Sequence, residues 1–242
     1  MGRALKAAPR DIVLSICTGA RLAHIEAYKT WAQMWRGTGD THDSWANIVN
    51  NGFLADDSNQ EDWRPHTGPG GWHDLDMLSL GPNCMRQRTI GPNLLKPDEQ
   101  IAHMTAWALY PSPLILSCDL TALSDFELRL FANEEVLAVN QDRLAKPAIR
   151  LREERRQSPG THQPHRNSRI WARPLADGSF AVAFFNFAGT ADEISLDFED
   201  LGLAGGMAVR NLWERRDLGR CRQRFAIPVP AHGAQLLRVA PV

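Results

Sequence analysis

The sequence predicts an α/β fold, half of a β/α (TIM) barrel followed by an antiparallel β-sandwich domain. Three observations predict it. Between Asp11 and Pro147, short apolar runs alternate four times with helical patterns, as parallel β/α units do. A complete eight-unit barrel takes about 250 residues, roughly 31 per unit, so this stretch holds about four units and one long loop. Beyond Pro147 the helical period disappears, and short strands separated by turn signals follow, the pattern of a small antiparallel sandwich. Residues 1–147 are therefore assigned to a partial barrel and residues 148–242 to the sandwich.

Each element has its own reason. DIVLSI (Asp11–Ile16) is β-branched, continuous and short, a buried strand. HIEAYKTWAQM follows with Ile25, Tyr28, Trp31 and Met34 spaced for one helical face. MWRGTGD (Met34–Asp40) is a second strand running into a glycine-rich loop, and SWANIVNNGFLA is a helix capped by Ser44. GPGGWHDLDML (Gly68–Leu78) is a third strand with an irregular exit. PDEQIAHMTAWALY is the clearest helix, with Pro97 at its start and acids in its first turn. PLILSCD (Pro113–Asp119) is the fourth strand, and Ser124 with Glu127 forms a capping box for SDFELRLFAN. LREERRQSPGTHQPHRNS (Leu151–Ser168) is polar and without period, an Arg-rich solvated loop at the start of the sandwich. RIWARPL, DGSFAVAFFNF, DEISLDF, MAVRNLWE and AQLLRVA are the sandwich strands.

Composition narrows the function classes. The chain has 242 residues, is 43% hydrophobic and carries a net charge of −1, so no long-range field draws it to nucleic acid or a charged membrane. Glu153 and Glu154 interleave with Arg150, Arg152, Arg155 and Arg156, which argues against a basic nucleic-acid patch there. No apolar run is long enough to span a membrane, and the first residues, MGRALKAAPRDIVLSIC, lack the apolar core of a signal peptide. The four cysteines, Cys17, Cys84, Cys118 and Cys221, show no C-x-x-C spacing, which excludes the common zinc and thioredoxin-like patterns. Of the eight tryptophans, Trp35, Trp45 and Trp72 lie near strand ends, where they either stack on a sugar or, the favoured reading, fill the core.

Catalytic groups of β/α barrels sit at the carboxyl ends of strands. Here those ends supply Ser15, Cys17 and Thr18, then Arg36 and Asp40, then His73, Asp74, Asp76 and Met77, and finally Ser117, Cys118 and Asp119. Carboxylates at three neighbouring ends make an acidic pocket. Such a pocket suits glycosidic cleavage by paired carboxyls or a divalent cation, while Asp74 and Asp76 also read as turn formers.

Four segments carry a specific resemblance: WRGTGDTHDSW (Trp35–Trp45), GPGGWHDLDML (Gly68–Leu78), HMTAWALYPSPLILSCDL (His103–Leu120) and NEEVLAVNQD (Asn133–Asp142). In this order and spacing they resemble glycoside hydrolase family 27, the α-galactosidases and α-N-acetylgalactosaminidases. VRNLWERRDLG and VPAHGAQLLRV resemble the β-sandwich that follows the barrel in that family. The resemblance implies a retaining hydrolase of terminal α-linked galactose-type sugars, acting on an oligosaccharide or glycoconjugate, with no cofactor, metal, nucleic acid or membrane partner. It implies Asp40 as the general acid/base, and Arg36, Asp76, Met77 and Thr18 as sugar-binding positions. Asp74, Cys17 and Trp72 take supporting places. His73 and Leu75 stand where the family carries Asn and Pro, and Ala32 stands where a disulfide partner of Cys17 would be.

The family's nucleophile lies in a Lys-x-Asp segment at the end of the preceding strand, and no strand fits before Asp11. The resemblance therefore implies the C-terminal half of the barrel, in a chain that needs an N-terminal half-barrel in cis or trans, or self-association, and that is inactive alone. A non-catalytic carbohydrate-binding or subunit-type remnant is the alternative.

Overall fold

A computed structural model describes residues 1–17, 19–53, 62–84, 89–156 and 165–242. The first part follows a β/α order. A short helix α1 (Gly2–Lys6) precedes β1 (Ser15–Ile16), α2 (Ile25–Trp31), β2 (Met34–Arg36), α3 (Trp45–Gly52) and β3 (Trp72–Asp74). Helices α4 (Pro97–Leu109), α5 (Asp125–Phe131) and α6 (Glu134–Asn140) complete it. The strands form a parallel sheet in the order β1-β2-β3, with Ser15 opposite Met34 and Arg36 opposite Asp74. This is a partial β/α barrel.

The regular elements are shorter than the apolar runs suggest. Asp11–Leu14 lie outside β1, which among the described residues has a partner strand on one side only. Met34 opens β2 instead of extending the helical face of α2. The expected fourth strand shrinks to one parallel bridge between Leu78 and Leu116, closed by hydrogen bonds from Leu78 to Ile115 and from Ser117 to Leu78. Ser44 stands at the N-cap of α3, but its hydroxyl meets His42 Nδ1 at 3.2 Å instead of capping the helix backbone. Ser124 and Glu127 do form their reciprocal capping box on α5.

Eight strands make up the second part. Six form one antiparallel sheet in the order β4-β5-β6-β11-β8-β9, and β7 pairs with β10 in a second layer. Their ranges are β4 (Ile149–Arg156), β5 (His165–Pro174), β6 (Phe180–Asn186), β7 (Asp192–Asp197), β8 (Met207–Asn211), β9 (Arg216–Cys221), β10 (Arg224–Val229) and β11 (Ala234–Pro241). The Arg-rich stretch expected to be a loop is thus largely a hairpin, β4 paired with β5 through two irregularities. It forms strand because Leu151 packs on the sandwich core while the charges pair: Arg152 reaches Asp200 at 2.8 Å, and buried Arg169 bonds Glu153. Residues 157–164 of that stretch lie outside the described residues.

Alternation along the six-stranded sheet builds two cores. Ile170, Ala172, Val182, Phe184, Leu237 and Val239 face the β7/β10 layer. Trp171, Ala181, Ala183, Phe185 and Leu236 face the opposite way and share one core with α3 and α4. This explains why FAVAFFN is apolar throughout: β6 is covered on both faces. Helix α4 is likewise buried almost all round, lying between the barrel strands and this sheet. Fully buried Arg173 closes the seam, donating to Ala108 O at 2.9 Å and Asn140 O at 3.4 Å, and burial lowers its pKa to about 10.

Candidate active site

The carboxyl end of β2 builds the site. Arg36 is the last residue of that strand and is 6% exposed. Its two terminal nitrogens split between two carboxylates: Nη1 donates to Asp76 Oδ1 and Nη2 to Asp40 Oδ1, each at 2.6 Å. Burial works against its charge, but the hydrogen bond and attraction of Asp76, then the bond to Asp40 and the attraction of Cys17, outweigh it. They hold the guanidinium above its ordinary pKa. The two carboxylates differ in solvent access. The Asp76 side chain is 6% exposed, whereas that of Asp40 is 78% exposed.

Residues 37–44 carry Asp40 and are pinned from helix α3. Asn47 donates to the Asp40 carbonyl at 3.0 Å, and Asn51 donates to Gly39 O at 3.1 Å and Thr41 Oγ1 at 3.2 Å. The Thr41 amide donates to Asp76 Oδ2 at 2.6 Å. Asp43 is fully buried and accepts the Leu94 amide at 3.0 Å, tying this loop to the one before α4. Asp74 uses its Oδ1 to accept the Asp76 amide at 2.8 Å, an Asx-type turn. Burial pushes its carboxyl pKa up, against the hydrogen bond from Asp76.

The structure therefore brings Asp40, Arg36, Asp76 and Asp74 together. Cys17 is an exposed free thiol, and the Ala20 amide just beyond it donates to Arg36 O at 3.2 Å. Met77 follows Asp76 in the loop and is half-buried. Thr18 lies outside the described residues. Trp72 goes elsewhere: it opens β3 and, with Met34, Pro111 and Pro113, lines a cavity of about 400 Å³ at the amino ends of the strands, opposite Asp40. Asp119 also leaves the group, accepting Thr121 N at 2.9 Å to cap a turn. Among the described residues no three His, Cys, Asp or Glu side chains gather to hold a metal ion. No described helix is long and apolar enough to cross a membrane.

His73, the departure from Asn, sits on the helix-facing side of β3. It is buried, stacked on Trp63 at 5.0 Å and edge-on to Tyr110 at 5.4 Å, and burial lowers its pKa to about 3. Trp35 is equally a core filler, stacked on Tyr28 at 6.4 Å, and Trp45 stacks on His232 at 5.0 Å. Sequence reasoning missed Thr41, Asn47, Asn51 and Trp107. Only the spacing of four between Asn47 and Asn51, two amides on one face of α3, signalled any of them.

A family profile described as alpha galactosidase A matches residues 1–142, and one described as the alpha galactosidase C-terminal beta sandwich domain matches residues 165–239. The chain belongs to glycoside hydrolase family 27, the α-galactosidase family. It is 30% identical over its whole length to an α-galactosidase of Oryza sativa subsp. japonica, covering 52% of that protein. It is also 30% identical to one of Cyamopsis tetragonoloba, covering 53%. Among solved structures, a family 27 β-L-arabinopyranosidase from Geobacillus stearothermophilus matches 100% of this chain and 53% of its own, with TM-score 0.86 and 30% identity. Another α-galactosidase, from Mortierella vinacea, matches 99% of this chain and 61% of its own, with TM-score 0.78 and 26% identity. The chain spans about half the length of the curated relatives it matches.

Proposed function

We propose that residues 1–147 supply the acid/base side of a retaining α-galactosidase-like site, with residues 148–242 as the docked sandwich. The substrate is a terminal α-linked galactose-type sugar on an oligosaccharide or glycoconjugate. The observation that carries this reading is the pair of carboxylates shared by Arg36: buried Asp76 on one arm and exposed Asp40 on the other. A group that hands a proton to a leaving oxygen and takes one from water must reach both, and Asp40 is the exposed member. Asp76 serves as the fixed one, both of its oxygens being occupied by Arg36 and Thr41. Arg36, Asp76 and Met77 are the sugar-binding positions in this reading, with Asp74 and Cys17 in support; Thr18, assigned to the same role by the resemblance, lies outside the described residues.

Retaining hydrolysis needs a second carboxyl about 5–5.5 Å from the first, as nucleophile. In our reading it comes from outside the described residues, on an N-terminal half-barrel supplied in cis or in trans. The test is an assay of the purified chain on an aryl α-galactoside and an aryl β-L-arabinopyranoside, alone and mixed with the N-terminal half of a related α-galactosidase. Turnover is expected only in the mixture. Asp40→Asn should lower it by about 10²–10⁴ for poor leaving groups and less for activated aryl glycosides. Wild-type rates in Asp40→Asn on a natural α-galactoside would remove Asp40 from this role.

A further inference from the structure

Asp76 is held in a conformation that residues with a side chain rarely adopt, with φ of +80°. Each of its four polar groups has a partner on a different segment. Its amide donates to Asp74 Oδ1 at 2.8 Å, and its carbonyl accepts the indole N–H of Trp107, from α4, at 2.8 Å. Its carboxylate oxygens take Arg36 from β2 and the Thr41 amide from the loop that carries Asp40. The two main-chain bonds hold the backbone from which the carboxylate reaches Arg36 and Thr41.

We propose that Trp107 is a positioning residue for the acid/base group. By fixing the main chain of Asp76 in its left-handed turn, it aims the Asp76 carboxylate at Arg36 and Thr41 and so sets the place of Asp40. The proposal rests on the reading of Asp40 as the acid/base group. Trp107 itself has no freedom. It is fully buried, His103 lies edge-on at 4.2 Å, and a methyl group on Gly52 would come within 2.8 Å of its ring. Its helix is braced from the sandwich, where Trp213 donates to Thr105 Oγ1 at 2.9 Å and Arg173 donates to Ala108 O. Among the described residues, Asp40, Asp76 and Cys17 act on Arg36; Asp76 and Arg36 act on Asp74; and His103 lies behind the indole.

Amide hydrogen exchange of the chain itself reads the aim of Asp76, because the Thr41 amide donates to its carboxylate. Trp107→Phe keeps an aromatic ring and removes the N–H donor. The Thr41 amide should then exchange about fivefold faster, the worth of one hydrogen bond, while amides of β6 keep their rates. Gly52→Ala, which pushes the indole without removing its donor, should loosen Thr41 in the same selective way and decides the matter if Trp107→Phe does not fold. In the assembled enzyme, both variants should lower kcat on alkyl α-galactosides and spare activated aryl ones, since only the former need the proton donor. Unchanged Thr41 protection, or a loss spread evenly over the β6 amides, would reduce Trp107 to packing. This exchange measurement needs no turnover, so its outcome is separate from that of the Asp40→Asn assay.

Discussion

The six-stranded and the three-stranded sheets are buried to different extents. The six-stranded sheet is covered on both faces, by α3 and α4 on one side and the β7/β10 layer on the other. The three-stranded parallel sheet is covered on one. Its helix-facing side holds Trp35 and His73, each 1% exposed. On the other side Ser15 and Cys17 are exposed, Met34 and Trp72 half-buried, and only Arg36 and Asp74, tied into the Asp76 cluster, are buried. The sandwich finds both of its layers within this chain. A barrel sheet is covered on its inner side by the rest of its own ring, and the described strands are part of one.

The largest effect belongs to the seam, where Phe53 meets Trp171, Phe185 and Phe187 at 4.8 to 4.9 Å between ring centres. Phe53→Ala should cost about 3–5 kcal/mol in denaturant unfolding, and both sheets should unfold together. Separate transitions would show that the sandwich does not depend on the seam.

Acid comes next, and it should act on the β/α part. Burial lowers the pKa of both His73 and His103 to about 3, against 6.5 in the unfolded chain. The unfolded state therefore binds more protons between those values, and stability falls as pH drops through that window. From pH 7 to pH 5 the loss is about 2 kcal/mol for each histidine. His73→Asn and His103→Phe should each flatten the slope of unfolding free energy against pH. An unaltered slope would mean that neither ring is held neutral by the fold.

A smaller effect is expected at α5, whose start depends on Ser124 and Glu127. Ser124→Ala should cost about 1 kcal/mol, read as a lowered Tm. Least costly should be Trp72→Ala on the open inner side, at under about 0.5 kcal/mol. If it matched Phe53→Ala, the inner side would be as closed as the sandwich core.

Much of the site was legible because it is local. WRGTGD ends a strand and starts a loop, so Arg36 and Asp40 had to emerge at one end of the sheet; the HDLDM segment did the same for Asp74 and Asp76. Trp72 lies apart from this cluster because a strand runs from one end of a barrel to the other, and a residue two positions before Asp74 lines the opposite end. Thr41, Asn51 and Trp107 were illegible for another reason. A threonine amide, a helix-borne amide side chain and an indole N–H acquire a role only when a third segment brings an acceptor to them.

Residues 151–156 and 165–168 show the same limit from the side of the fold. Their polarity suggested a loop, yet the apolar contact of Leu151, the cross-strand pair of Glu153 with Arg169 and the bond from Arg152 to Asp200 accompany an edge strand. Periodicity and capping are properties of neighbours in the chain, so the sequence by itself determined the β/α order, the helix starts, the apolar sandwich strands and the loop that carries Asp40. The tertiary structure alone decided which carboxylate is buried and which exposed, because that depends on which segments meet at the Arg36 guanidinium. Hydrogen bonds across 31 to 40 residues of chain, from Trp107, Thr41 and Arg36 to Asp76, fix an orientation that no local pattern encodes.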